Sequence, residues 1–251
     1  MTIGVILAGV LEESYELYTE KISLILLFSI PFIIAFAIPM LASLPTYLTA
    51  GAIFLRSASI FVNGNISQLS LAVITISTIF SLLFLSFAFV LISMLVKSKR
   101  THSKIGLMAM KNIESYIGKV FLIFLLYTAA IVIVNILGYF VGLSTLLTGL
   151  VGFVLFALLF YAPSAIVVDD KRIGRAVKDS VRLLFKEPQY FVMWLVLITV
   201  IVSVLDVVCI ALFGTVLSKY VVLVLNSLLI VPYFVIFQAE AYMDTFRLLR
   251  H

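Results

Sequence analysis

The sequence predicts an all-α membrane protein with six transmembrane helices, and two observations lead to this prediction. Of its 251 residues, 64% are apolar and only 12% are charged, whereas soluble domains contain close to one half and one quarter of these classes. So few charged side chains could not cover so much apolar surface in water, and the surrounding solvent is therefore expected to be lipid. The charges also lie mainly in the segments between long apolar runs.

Six apolar runs are long enough to cross a membrane. A hydrocarbon core of about 30 Å takes roughly 20 helical residues at about 1.5 Å each. The runs are Ile22–Leu41, Leu69–Val96, Val120–Val141, Thr145–Val168, Tyr190–Phe213 and Tyr220–Met243. We therefore expect a single integral membrane domain over residues 1–251, multi-pass in the cell membrane.

The basic residues are distributed unequally between the two sides of the predicted bundle. The segments 97–119 and 169–189 hold six Lys or Arg each, and fifteen of the seventeen basic residues of the chain lie on that side. Only Arg56 and Lys219 lie on the other. Because cytoplasmic loops carry the excess of Lys and Arg, this pattern predicts that both termini are cytoplasmic.

The cytoplasmic segments show the periodicity of amphipathic helices that lie in the membrane interface. Over 105–117 and 173–184, apolar residues recur at helical spacing opposite charged ones, and residues 1–20 repeat the design with an acidic face. Asp170 is a candidate N-cap of the third such helix. The pattern predicts three repeats of an interfacial helix plus a transmembrane hairpin, with a plain six-span bundle as the alternative. The units cover 1–96 with a long outer loop at 42–68, 97–168, and 169–251.

The basic residues of the last two interfacial helices predict contacts with anionic lipid headgroups. Each Lys or Arg near an anionic membrane surface contributes about 1 kcal/mol to binding. Nucleic acid is not an expected partner, because the basic residues form no face interleaved with aromatic side chains. The predicted headgroup-binding residues are Lys104, Lys111, Arg172, Arg175, Lys178, Arg182 and Lys186.

Asp206 is the one acidic residue in the middle of a predicted span. An ionisable side chain at that depth costs several kcal/mol, so a partner or a role is expected for it. Asn135 and Asn226 have similar predicted depths, and the three residues are predicted to form one hydrogen-bonded cluster. The cluster has two interpretations, a polar contact between helices and a proton or cation site in a transport pathway. A solvent-facing Asp206 in a shorter span is a third.

A second polar group lies at the cytoplasmic end of the last predicted span. It consists of Gln238, Glu240 and Asp244, and helical spacing puts the last two on one face. We expect an ion-pair network with basic residues such as Arg175 and Lys178, which would hold an interfacial helix against the bundle. A cytoplasmic gate is the alternative interpretation.

The run Tyr161–Asp170 reads Tyr-Ala-Pro-Ser-Ala-Ile-Val-Val-Asp-Asp and is followed by Ala176, Ser180 and an amphipathic pattern. It resembles a signature of prokaryotic six-span membrane proteins related to the membrane domain fused to some bacterial glycerophosphodiester phosphodiesterases. In that family a span ends in a proline, a short Val/Asp stretch follows, and a helix with small residues precedes the next span. The resemblance implies the six-span architecture. It does not imply phosphodiesterase activity, because the chain has no counterpart of the soluble catalytic domain.

The sequence contains no motif that indicates an enzymatic reaction. The phosphate-binding loop, His-Glu-x-x-His and Gly-x-Ser-x-Gly patterns are all missing. Cys209 is the one cysteine, and His102 and His251 lie outside the spans, so no metal or other cofactor is expected. The expected function is a non-enzymatic membrane component that binds lipid or a partner membrane complex, with a homo-oligomer as a further possible assembly. The alternative is a small-solute or ion transporter or channel that uses Asp206 and Glu240.

Overall fold

A computed structural model describes residues 3–41, 68–101 and 107–248 of the chain. Within these ranges every regular element is helical and none is a strand, which confirms the all-α prediction for this part of the chain. The helices are α1 (Ile3–Glu20), α2 (Ile22–Leu41), α3 (Gln68–Thr101), α4 (Leu107–Val141), α5 (Thr145–Leu159), α6 (Ala162–Asp169), α7 (Ile173–Lys186), α8 (Pro188–Leu225) and α9 (Val231–Leu248). A π-helical turn at Asn226–Ile230 joins the last two.

Among the described residues, four helical stretches are long and apolar enough to cross a membrane. They are Ala72–Lys99, Asn112–Val141, Leu146–Asp169 and Pro188–Thr245. The pair α1 and α2 gives a fifth if it is counted as one span, although the pair is bent by 92°. These helices are compatible with a multi-pass membrane protein, while six separate spans are not confirmed.

The longest apolar stretch folds back on itself. Gly214 has φ 72° and ψ 174° within α8, a backbone conformation that glycine adopts at little steric cost. Trp194 Nε1 donates a hydrogen bond to Phe234 O at 3.2 Å, and Tyr190 Oη donates to Asp244 Oδ2 at 2.8 Å. These bonds join the start of α8 to α9. The part of the stretch before Gly214 and the part after it, its two arms, therefore run antiparallel. The predicted spans Tyr190–Phe213 and Tyr220–Met243 both lie within this one stretch.

The predicted repeat is not confirmed, because its second unit has no separate interfacial helix. A helix over 105–117 was expected before a distinct span, but α4 runs unbroken from Leu107 to Val141. No proline interrupts this sequence, so nothing stops the helix between the two predicted segments. By contrast, Pro188 follows Glu187, the C-cap of α7, and the residue before a proline is disfavoured in the helical region. The outer loop predicted over 42–68 lies almost entirely outside the described residues.

The fold is closely packed around the short helix α6. Every residue from Phe160 to Val167 is buried, and α6 packs against α3, α4, α7 and α9. The centroid of the Phe160 ring also lies 5.0 Å from the ring centroids of both Phe191 and Trp194. Away from this region the helices present apolar side chains outward, since Phe140 is 79% exposed and Val216 is 74% exposed. Outward apolar surface of this kind is typical of helices surrounded by lipid.

Candidate functional site

Helix α7 has two chemically different faces. Ala176, Ser180 and Leu183 are buried at helical spacing and form the face towards the bundle. The helix packs against α5, α6 and α8. Phe185 is 76% exposed. The five predicted headgroup residues in this region are also exposed, namely Arg172, Arg175, Lys178, Arg182 and Lys186. The helix therefore presents five cations and one aromatic ring to its surroundings.

The start of α7 differs from the prediction. The N-cap is Arg172, whose backbone is extended, so the expectation that Asp170 caps this helix was wrong. Asp170 instead ends α6 with a left-handed backbone at φ 55°, a conformation that Asp tolerates better than most residues. Its carboxylate accepts hydrogen bonds from Tyr116 Oη and from Lys97 Nζ, the latter at 3.2 Å. The residue thus joins α3 and α4 to the loop that precedes α7.

Lys171, in the same loop, is at the centre of a polar network that the sequence analysis missed. Its Nζ lies 2.9 Å from Asp169 Oδ2 and 2.9 Å from Asp179 Oδ2, and it donates a hydrogen bond to Tyr242 Oη at 2.8 Å. Tyr242 Oη donates in turn to Asp169 Oδ2 at 2.7 Å. These contacts bind α7 to α6 and α9. The signal in the sequence was the Asp-Asp-Lys run directly after a long apolar stretch.

The helical stretch that contains α5 and α6 is broken between the two helices, next to Pro163, which has no N–H. Ser180 of α7 lies at this break. Tyr161 N donates to Ser180 Oγ at 3.0 Å, and Ser180 Oγ donates to Leu158 O at 2.7 Å. One hydroxyl group therefore supplies the partners that two backbone groups lack where the helix is interrupted.

The polar residues predicted at the end of the last span all lie in α9. Gln238 Nε2 donates to Phe160 O, at the same helix break that Ser180 contacts. Asp244 accepts the hydrogen bond from α8 described above, and Glu240 is only 1% exposed. The basic residues of α7 that were expected to pair with these carboxylates are exposed. The predicted ion-pair network and the alternative of a gate both stay predictions.

The three polar residues predicted to meet within the membrane lie on different elements. Asn135 is 7% exposed and Asn226 is 5% exposed, while Asp206 is half-buried. Asn135 Nδ2 donates to Ile131 O of its own helix at 2.9 Å. The cluster, and the transport pathway that it suggested, stay predictions.

Two of the predicted headgroup residues have no described side chain. Lys104 lies outside the described residues. Lys111 belongs to α4, but its side chain is not among those that the structure describes. Cys209 is buried with a free thiol. Within the described ranges, no group of three or more His, Cys, Asp or Glu side chains could hold a metal ion.

The fold and these sites define a class of protein: a chain whose described elements are all helical, compatible with multi-pass insertion, with a basic helix that packs against the buried helix α6. No family model, curated protein or solved structure matches the chain. The resemblance of Tyr161–Asp170 to the family related to the phosphodiesterase membrane domain therefore stays a prediction.

Proposed function

We propose that the chain is a non-enzymatic component of the cell membrane that binds anionic lipid headgroups through the basic face of α7. The observation that supports this proposal is the exposure of four cations along one short helix, and of a fifth at its N-cap, while the opposite face is buried in the bundle. Phe185 lies between Arg182 and Lys186 in sequence and is exposed as they are. Cationic side chains combined with an aromatic ring are typical of helices that lie in a membrane interface.

The charge is sufficient for useful affinity. Each Lys or Arg close to an anionic surface contributes about 1 kcal/mol, so five give about 5 kcal/mol at low ionic strength. Because the charges are exposed, salt screens this attraction, and the binding should weaken as the Debye length falls below about 10 Å above 0.1 M salt. Because the cytoplasmic leaflet carries a negative surface potential, this basic face favours a position of α7 at the cytoplasmic surface.

We propose further that the chain crosses the membrane six times, with both termini in the cytoplasm. The stretch Pro188–Thr245 has 58 residues, which at about 1.5 Å per residue is nearly three times the length of one crossing. Its antiparallel arms favour two crossings that turn near Gly214. The excess of basic residues on the side of α7 gives the orientation.

Labelling of single cysteines tests this topology. Lys178→Cys and Lys219→Cys, each in a Cys209→Ser background, are treated in intact cells with a membrane-impermeant maleimide. Both positions are exposed in the fold, so they differ in side of the membrane and not in burial. We expect labelling at position 219 and none at 178 until the cells are opened. Labelling at 178 in intact cells would overturn the orientation.

Lipid binding is tested by reconstituting the purified chain in nanodiscs of phosphatidylcholine with or without phosphatidylglycerol, and by counting retained lipids by native mass spectrometry. The parent chain should retain phosphatidylglycerol preferentially, and the preference should fall with salt. The triple variant Arg175→Gln, Lys178→Gln, Arg182→Gln should lose most of this preference, while Lys219→Gln, which removes a cation outside α7, should keep it. An unchanged preference in the triple variant would refute the proposal.

A further inference from the structure

We infer that Ser180 is a positioning residue that sets the rotation and depth of α7 at the membrane surface. The inference rests on the proposed binding of lipid through α7, because the orientation of that helix decides which side chains meet the headgroups. Ser180 does not face those headgroups, since it is completely buried. Its effect on binding would be exerted through the helix that carries it.

The two hydrogen bonds of Ser180 fix the position of its hydroxyl oxygen. A hydroxyl has one donor and two acceptor sites. Here the donor is used on Leu158 O and an acceptor site on Tyr161 N, so the oxygen is fixed between two backbone groups on opposite sides of the break. Where lipid surrounds a bundle there is no bulk water to replace either bond. The two backbone groups at the break therefore hold the Ser180 hydroxyl in place, and the hydroxyl is their hydrogen-bond partner.

The neighbouring residues make this contact a close one. Ala176 lies one helical turn before Ser180 and is also completely buried, so α7 approaches the bundle over two small side chains. The exposed Lys178 and Arg182 lie two residues on either side of Ser180, and this spacing directs them away from the buried face. Fixing position 180 thus fixes the direction in which the cations point.

A second attachment makes the role of Ser180 separable from simple folding. Lys171 binds α7 to α6 and α9, because it contacts Asp179 of α7 as well as Asp169 and Tyr242. If the Ser180 hydroxyl is removed, α7 keeps this attachment. The helix should then tilt about the contact between Lys171 and Asp179 and change the depth of its far end, where Phe185 lies.

The experiment places a nitroxide label on Phe185→Cys in a Cys209→Ser background and reads its mobility and depth by electron paramagnetic resonance in nanodiscs. Ser180→Ala and Ser180→Gly remove the hydroxyl without adding volume, and each should increase label mobility and shift the label depth. Ser180→Thr keeps the hydroxyl but adds a methyl group at a completely buried position, so it should restore the parent spectrum only in part. Ser86→Ala is the matched control, because Ser86 is equally buried but bonds to Leu82 O of its own helix at 2.6 Å.

A spectrum unchanged from the parent in both hydroxyl-free variants would overturn the inference. So would the same change in Ser86→Ala, because it would mean that loss of any buried serine loosens the label. Recording every spectrum with and without phosphatidylglycerol separates this result from lipid binding. If the label moves in the Ser180 variants but the parent chain shows no preference for phosphatidylglycerol, the proposed function alone is refuted. If the label does not move in the Ser180 variants and the chain prefers phosphatidylglycerol, the positioning role alone is refuted.

Discussion

Replacing Lys171 by alanine tests whether the network between α6, α7 and α9 stabilises the fold. The Nζ of Lys171 lies 2.9 Å from a carboxylate oxygen of both Asp169 and Asp179, and it also bonds Tyr242 Oη. The substitution removes the cation and leaves the two carboxylates facing the space that it filled. The remaining like charges then repel each other, so the expected loss includes more than the three contacts.

The magnitude follows from the burial of the three charged groups. An exposed ion pair contributes about 0–1 kcal/mol, whereas breaking a fully buried pair costs about 3–5 kcal/mol. The side chains of Lys171, Asp169 and Asp179 are 19%, 27% and 25% exposed, which is closer to the buried limit. We expect the free energy of unfolding to fall by about 2–3 kcal/mol. For a chain of this size the midpoint of thermal unfolding should then fall by about 5–10 °C.

Cys209 provides the assay, because it is the one cysteine and it is buried. A thiol-reactive fluorogenic dye reacts with it when the chain unfolds in detergent, so the fluorescence transition gives the midpoint. Lys178→Ala is the control, since it removes a cation from an exposed position of α7 and should change stability by no more than about 0.5 kcal/mol. A midpoint for Lys171→Ala equal to that of Lys178→Ala would refute the stabilising role of the network.

Four further substitutions can be followed by the same thermal assay. Gly138→Ala should destabilise the α4–α5 hairpin by about 1–3 kcal/mol, because the new Cβ would overlap Thr148 Cγ2. Gly149→Ala, with no atom within 4 Å of its new Cβ, should be neutral or stabilising, and equal midpoints for the two would contradict the close approach. Gly214→Ala should cost about 1 kcal/mol through its positive φ alone, and an unchanged midpoint would argue against that conformation. Tyr190→Phe should cost about 1–2 kcal/mol by removing the hydrogen bond to α9, and no loss would indicate that the bond contributes nothing.

The helices themselves could be predicted from the sequence because their signals are local. The predicted run Leu69–Val96 and the observed helix Gln68–Thr101 agree within a few residues, since apolar length and composition decide both. The exposed and buried sides of α7 were also predictable, because its charged and apolar residues alternate at helical spacing. The second interfacial helix was wrongly predicted as separate, because the same periodicity fits a helix that continues into a span.

The contacts that fasten α7 could not be predicted in the same way. Ser180 meets Leu158, and Lys171 meets Tyr242, and neither pair is close in sequence or marked by a motif. At Asp170 the local rule failed outright. A carboxylate just before a helix favours an N-cap, but hydrogen bonds from α3 and α4 hold this one at the end of α6 instead.

The break between α5 and α6 bears on the choice between a membrane component and a transporter. A proline-broken helix can line a water-filled pathway when its freed backbone groups bind water or a substrate. Next to Pro163, however, Tyr161 N is bonded to Ser180, and Phe160 O is bonded to Gln238. Side chains of α7 and α9 thus form hydrogen bonds with these backbone groups, and both helices pack against the bundle at the break. A transport pathway at this point would require both bonds to open, which favours the proposal of a membrane component organised around α7.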